Sequence, residues 1–255
     1  MQKDFDGLTR VDKSIARLKE FEPAGGYYLA FSGGKDSTVL YNLALRAKVK
    51  FDAHYSCGGL DPLDLMNFIK AFYSNVIWDK PGVSFWKMFQ EKRMPRRNAR
   101  WCCELIKEHG GEGRTVLTGI RWAESTNRKK RTVQETCCHG NKWFLNPIID
   151  WTEKDVWEYI KTNNLPYCSL YNEGFKRLGC VLCPMKTAKQ TQIELQRFPK
   201  IATNWRRAFE KLYETHKDKP SFQRWKSSEE MWRWWISRKG ERISPEQCRM
   251  TLGDN

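Results

Sequence analysis

Residues 27–46, YYLAFSGGKDSTVLYNLALR, constrain the fold more than any other stretch of the chain. An apolar run, YYLAF, ends at Ser32-Gly33-Gly34-Lys35-Asp36-Ser37, and Val39, Leu40, Leu43 and Leu45 then follow at helical spacing. A strand that turns through two glycines into a helix brings free amide N–H groups and the positive helix end to one point, which makes an anion site. The loop is not Walker A, which places four residues between its first glycine and the Gly-Lys pair. Its glycines let the backbone wrap a small anion, and Ser32 and Ser37 offer hydroxyls. Lys35 offers charge, and Asp36 is suited to holding a magnesium ion that bridges phosphates. The plain alternative is a turn that merely joins strand to helix; six matching positions in the strand–turn–helix setting weigh against it.

The first half of the chain repeats this alternation. Strands are expected over 27–31, 51–56, 75–78 and 115–120, and helices over 37–47, 61–72 and 84–90. Such a pattern implies an α/β fold, a doubly wound and mostly parallel sheet covered on both faces. Ligands of these sheets bind at the carboxyl ends of the strands, here Ser32 to Ser37, Cys57 to Asp61, Asp79, and Arg121 to Glu124. From Thr152, with Asp155 three residues on as a near-capping box, the pattern turns mostly helical, and beyond Cys183-Pro184 three or four helices are expected up to Lys239. The expected organisation is an α/β domain over 1–185 and a helical region over 186–255, ending in a loose tail.

A net charge of +15 favours polyanionic partners, nucleotides or nucleic acid, against the alternative of a merely solvated basic surface. No apolar run approaches the ~18 residues of a membrane span, and the N-terminus shows no apolar leader core, so a cytoplasmic protein without a membrane partner is expected. In a reducing compartment the nine cysteines do not read as disulfides. Two adjacent pairs, Cys102-Cys103 and Cys137-Cys138, and one C-x-x-C from Cys180 to Cys183 suggest metal or redox chemistry. WRWW, residues 232–235, cannot bury every ring on one helix face, so part of it is expected to pack on another element or a partner.

The loop resembles the PP-loop of the N-type ATP pyrophosphatases, and the chain more specifically resembles the phosphoadenosine-phosphosulfate (PAPS) reductase family. LTGIRWAESTNRKKR is similar to the family's T-G-x-R-x-x-E-S-x-x-R segment, and NPIIDWTEKDVWEYI to its P-x-x-D-W-T-x-x-D-V-W segment. WCCELIK resembles its Cys-Cys segment, and LPYCSLYNEGFKRLGCVLCP the stretch leading into its C-x-x-C. The likeness runs in family order from about Tyr27 to Pro184 and covers the helical last third poorly. It implies an adenine-nucleotide site in which Ser32, Gly33, Gly34, Lys35, Asp36 and Ser37 hold pyrophosphate or sulfate. Gly119, Arg121, Glu124 and Arg128 would line the nucleotide and anion pocket, with Lys35, Asp36 and Arg121 catalytic. An arginine fork directly after a strand suits bidentate phosphate or sulfate; for 129–131 a solvated basic turn is an equal reading.

Cys102-Cys103, then 76 residues, then Cys180-x-x-Cys183 resembles the arrangement that binds a four-iron four-sulfur (4Fe-4S) cluster in adenylyl-sulfate reductases. Zinc suits the same four thiolates, and four ordinary buried thiols are the non-metal reading. A three-cysteine site with an open iron, or Cys168 in place of one ligand, also satisfies the spacing. Cys57 reads equally as a small buried residue, and Cys137-Cys138-His139 as an exposed loop.

Two departures from the family's reductases bear on the reaction. Their C-terminal nucleophilic cysteine motif is not matched; Cys248 in PEQCRM lacks the following glycine and histidine. Their phosphate loop is usually degenerate, whereas this one is intact. Both point to cleavage of ATP, as substrate with magnesium, between its α and β phosphates, with the adenylate then displaced by sulfur. The acceptor could be a nucleic acid guided by the basic stretch MPRRNAR, and a sulfur donor or redox protein would be the partner. Reduction of adenylyl sulfate or PAPS to sulfite is the second reading, and a non-catalytic nucleotide- or nucleic-acid-binding subunit the third.

Overall fold

The computed structural model describes residues 7–136 and 141–237. Cys137, Cys138, His139 and Cys248 lie outside them. In chain order the elements begin α1 (Arg10–Glu20), β1 (Tyr27–Ala30), α2 (Lys35–Ala47), β2 (Phe51–Ser56), α3 (Leu63–Phe72), β3 (Ile77–Asp79) and α4 (Phe85–Lys92). A π-helical turn (Cys103–Lys107) is followed by β4 (Thr115–Leu117), β5 (Gln134–Thr136), β6 (Trp143–Leu145) and α5 (Glu153–Thr162). The chain then runs through α6 (Ala188–Arg197), α7 (Pro199–His216) and α8 (Ser228–Ser237).

Two compact units share these elements. The first takes 1–56, 63–79 and 110–179; the second takes 57–62, 80–109 and 180–255. The first holds the expected α/β fold, a six-stranded sheet in the order β3-β2-β1-β4-β6-β5. All pairs are parallel except β5 with β6, which run antiparallel from Gln134 opposite Leu145 to Thr136 opposite Trp143. The order reverses between β1 and β4, so the crevice at their carboxyl ends is where such a sheet receives a ligand.

Its core rests on Leu29, Val39, Leu40, Leu43, Leu117 and Leu145, none of which reaches solvent. Each such side chain contributes about 1.5–3 kcal/mol by burial. Leu45, expected on this apolar stripe, is 53 % exposed; Ala44 and Ala47 take the inward positions instead. Helix α3 starts at Leu63 rather than 61, because Pro62 disfavours helical backbone at Asp61. β4 stops at Leu117, three residues early, freeing Thr118 to Ile120 to turn toward the start of α2. Helix α1, not expected from the sequence, opens on a Thr9/Asp12 capping box in which Thr9 Oγ1 accepts the Asp12 N–H at 3.2 Å.

The second unit is built on aromatic packing. Trp205 of α7 stands 5.2 Å from Phe85, 5.6 Å from Phe89 and 4.7 Å from Trp235, ring centre to ring centre. The WRWW segment divides as its periodicity requires: Trp232 and Trp235 are buried, while Trp234 is half-buried beside Trp225. No helix among the described residues is long and apolar enough to cross a membrane.

Trp205→Ala should lower unfolding stability by about 3–5 kcal/mol, the range for a large aromatic removed from a core. Trp205→Phe should cost far less, because the indole N–H it removes has no acceptor among the described residues. Urea unfolding of the two variants checks both values.

Candidate active site

The reversal point of the sheet is occupied by the glycine loop. Gly33 has φ +69°, and a Cβ there would lie 2.8 Å from the side chains of Ile69 and Leu65. Both the backbone and the space therefore demand glycine. Gly34 is the N-cap of α2. Ser37 Oγ accepts the Ser32 N–H at 3.2 Å, lies 3.1 Å from Ser32 Oγ and donates to the Gly34 carbonyl at 2.9 Å. The two serines thus close the loop on itself. Lys35 N–H, one of the free donors of the helix end, donates to the Tyr171 hydroxyl at 2.9 Å.

Two buried cations meet two carboxylates here. Lys35, 3 % exposed, places Nζ 3.2 Å from Asp36 Oδ2 and 3.5 Å from Glu153 Oε1. Arg121, 2 % exposed, donates from Nε to Asp36 Oδ1 at 2.7 Å and from Nη2 to Glu153 Oε2 at 2.8 Å. Burial works against the Arg121 charge, but Asp36, Glu124 and Glu153 outweigh it and hold its pKa above the ordinary value. Gly119 allows this approach, since a Cβ on it would come within 3.1 Å of the Asp36 Cβ. Arg121 N–H donates to Glu124 at 3.1 Å, and Glu124 pairs with Arg128. All ten nucleotide-site residues expected from sequence are therefore drawn into one unit, with Asp36, Arg121, Glu124 and Arg128 as a continuous chain of contacts. Lys129 and Lys130 are exposed, while Arg131 pairs with Glu135. Asp79 accepts from the Tyr28 hydroxyl at 2.9 Å and contacts His54, a separate cluster on the sheet.

Two contributors had escaped notice. Glu153 sits one residue after the Thr152 N-cap, where the α5 capping box fixes it in the first helical turn. Tyr171 closes a short 3-10 turn, with Lys35 Nζ 5.7 Å from the centre of its ring. Glu153 carried a signal, an acidic residue in a helix's first turn after the D-W-T run; Tyr171 carried none.

The second unit gathers the thiols. Cys103 opens the π-helical turn, and Cys180 and Cys183 flank Leu182, whose φ is +60°. Leu182 N–H donates to Glu194 Oε2 at 2.7 Å, and Arg97 donates to the Pro184 and Lys186 carbonyls at 3.0 Å each. These bonds fix the C-x-x-C loop. A hydrogen bond with Cys103, then burial, then the charges of Cys103, Cys180 and Cys183 push the Cys102 thiol up. Cys103 moves down, held as thiolate first by that bond and then by Arg100 and Lys107. Burial raises Cys180 to about 12 against the opposing pull of Lys107. The four sulfurs thus interact within one unit, as soft donors suited to iron or zinc. Among the described residues no three His, Cys, Asp or Glu side chains already form a metal-binding group. Cys168 belongs to the first unit and is fully buried.

Known proteins show which family the chain resembles. The family model for the phosphoadenosine phosphosulfate reductase domain matches residues 26–186. An uncharacterized protein of Methanocaldococcus jannaschii is 31 % identical over 89 % of the chain, which spans 59 % of that protein's length. An adenosine 5'-phosphosulfate reductase of Oceanobacillus iheyensis is 29 % identical over 60 % of the chain and 69 % of its own length. A crystal structure of phosphoadenylyl-sulfate reductase from Candida auris, in complex with phosphate, shares the fold at TM-score 0.51. It is 20 % identical, covering 71 % of this chain and 97 % of that one.

Glu153 is 56 % exposed, so its pairing with the two cations is worth at most about 1 kcal/mol. Glu153→Gln should therefore tighten magnesium-free polyphosphate binding by up to about fivefold, as read by calorimetry. Weaker binding would show that Glu153 assists the anion rather than competing with it.

Proposed function

The chain belongs to the phosphoadenosine phosphosulfate reductase domain family, and from that premise we propose that it cleaves ATP between the α and β phosphates and couples the adenylate to sulfur transfer. The observation that carries this reading is the pair of buried cations, Lys35 and Arg121, set on Asp36 and Glu153 beside the α2 N-terminus. A leaving pyrophosphate develops negative charge, and a preorganised cluster of this kind stabilises it with little rearrangement. An acceptor oxygen attacks the α-phosphorus, the α–β bridging bond breaks, and its electron pair leaves on pyrophosphate. The acceptor's proton passes to solvent. A sulfide-level sulfur from a donor then displaces adenosine monophosphate.

Asp36 and Glu153 offer the hard oxygen ligands that magnesium takes, and a bound ion would screen the β and γ phosphates. Lys35 and Arg121 are the residues that would hold the phosphates, and Asp36 and Glu153 those that would hold the ion. Gly33 and Gly34 present backbone to the anion, and Ser32 and Ser37 keep the loop closed. Cys102, Cys103, Cys180 and Cys183 are the residues that would hold a 4Fe-4S cluster, which when bound supplies sulfur or electrons to the activated atom. What supports the fit is their soft donor chemistry and their placement in one unit near enough for their charges to act on Cys102; zinc would satisfy the same donors.

Reduction of adenylyl sulfate or PAPS is the second reading, favoured by the likeness to an adenosine 5'-phosphosulfate reductase. Anaerobically purified protein separates the two: pyrophosphate from ATP supports the first, and sulfite from PAPS supports the second. Tight nucleotide binding with neither product would leave a binding subunit. Lys35→Ala should lower the rate of pyrophosphate release by about 10²–10³, the usual loss when one preorganised charge donor is removed. A visible charge-transfer band in the brown protein would identify the cluster, and a colourless zinc-loaded protein would rule it out.

A further inference from the structure

The second unit contains a cavity of about 420 Å³, within the size range of small-ligand sites, lined by Lys92, Arg93, Arg96 and Arg224 together with Trp101 and Trp225. Among the described residues none of the four cations has a carboxylate partner. Elsewhere in this unit Lys186, Arg206, Lys217 and Arg233 pair with carboxylates, while Lys87, Arg207 and Lys211 have no such partner among the described residues, so it is the clustering of these four around aromatic rings that sets the cavity apart. Two of the four, Arg93 and Arg224, lie against rings. The Arg224 guanidinium lies 3.9 Å from the Trp225 ring centre and 4.8 Å from that of Trp234, and Arg93 lies 5.5 Å from that of Phe222. Trp101 is fixed by stacking on Phe85 at 5.4 Å and 19°, and by donating from Nε1 to the Arg93 carbonyl at 3.2 Å. Arg96 and Arg224 are close enough for their like charges to act on each other, and burial and Arg96 together lower the Arg224 pKa.

We propose that this cavity binds single-stranded nucleic acid, with successive phosphates on the arginines and a base against the half-buried Trp101. The chemistry selects this ligand on two counts. Four positive groups exceed what one phosphate neutralises, so a chain of phosphates matches them better than a mononucleotide does. Fixed aromatic rings between cations are the recurrent device for holding unpaired bases without reading their sequence. A duplex hides its base faces, and an acidic peptide offers nothing to stack. Of the basic stretch 94–100, Arg97 is committed to the carbonyls after the C-x-x-C, which leaves Arg96 for the cavity. The inference goes beyond the proposed reaction and does not rest on it, because binding requires no turnover of nucleotide.

Fluorescence anisotropy with a labelled 12-nucleotide single strand and the full chain tests it. Binding should weaken steeply with salt. Arg96→Ala combined with Arg224→Ala should reduce affinity at least tenfold and lower the salt slope by about 1.4, two phosphate contacts at ~0.7 each. Arg96→Ala alone, a change at an exposed side chain outside the ring contacts, should reduce affinity three- to fivefold and covers the case in which the double variant folds poorly. Lys211→Ala removes the same charge from α7 elsewhere in the unit and should change affinity less than twofold. The proposal is overturned if the folded variants bind like the parent, or if Lys211→Ala weakens binding equally. It is also overturned if the matching duplex or an oligoglutamate binds as tightly as the strand.

Discussion

The structure of the first unit turns on one interaction, the buried Arg121 guanidinium shared between Asp36 and Glu153. A buried guanidinium left without any partner would be strongly destabilised; Asp36 is the less exposed of its carboxylates, and the half-exposed Glu153 adds at most about 1 kcal/mol. The pairing therefore ties three places together: the end of β4 that supplies Arg121, the first turn of α2 that supplies Asp36, and the first turn of α5 that supplies Glu153. Gly119 makes the tie sterically feasible, and Lys35 joins the same carboxylates from the other side. Two cations and two anions balance, so the loop can stay folded with no anion bound. A magnesium–pyrophosphate unit carries both signs, and could exchange with the pairs one for one. Sulfate carries only one sign and would leave the carboxylates uncompensated. That asymmetry underlies the preference for ATP in the proposed reaction.

The second unit applies different physics. Its helices are held by ring packing around Trp205, and its thiols by a short loop pinned through Glu194 and Arg97. The hydrogen bond between Cys102 and Cys103 pushes the first thiol up and the second down, and Arg100 and Lys107 add to the lowering of Cys103. The four candidate ligand thiols and the glycine loop lie in separate compact units, each of which the chain enters more than once.

The sheet and the loop could be read in advance because their signals are local. YYLAF followed by two glycines and an apolar helical stripe leaves few other conformations, and the reversal of strand order puts that loop at the ligand crevice. Strand β5 escaped because Gln-Glu-Thr is a wholly polar segment, and β6 because its three apolar residues stand outside the strand–helix alternation that revealed β1 to β4. Leu45 misled because its neighbours Ala44 and Ala47, small and easily overlooked, fill the inward positions. The division into units was hidden for another reason: residues 57–62 and 80–109 leave the α/β unit without any change of composition to mark it. In the site, Arg121 was legible from its motif, whereas Tyr171 reaches the α2 N-terminus from 136 residues away. Long-range contacts of that kind have no sequence period.

The central claim is that the glycine loop, with Lys35 and Arg121, is a pyrophosphate site rather than a sulfate site. Calorimetric titration of the unmodified protein with inorganic pyrophosphate and with sulfate, each with magnesium present, addresses it most directly. The account predicts that pyrophosphate binds at least tenfold more tightly than sulfate, with the difference shrinking when magnesium is withdrawn. Equal affinity for the two anions, or a preference for sulfate, would contradict it.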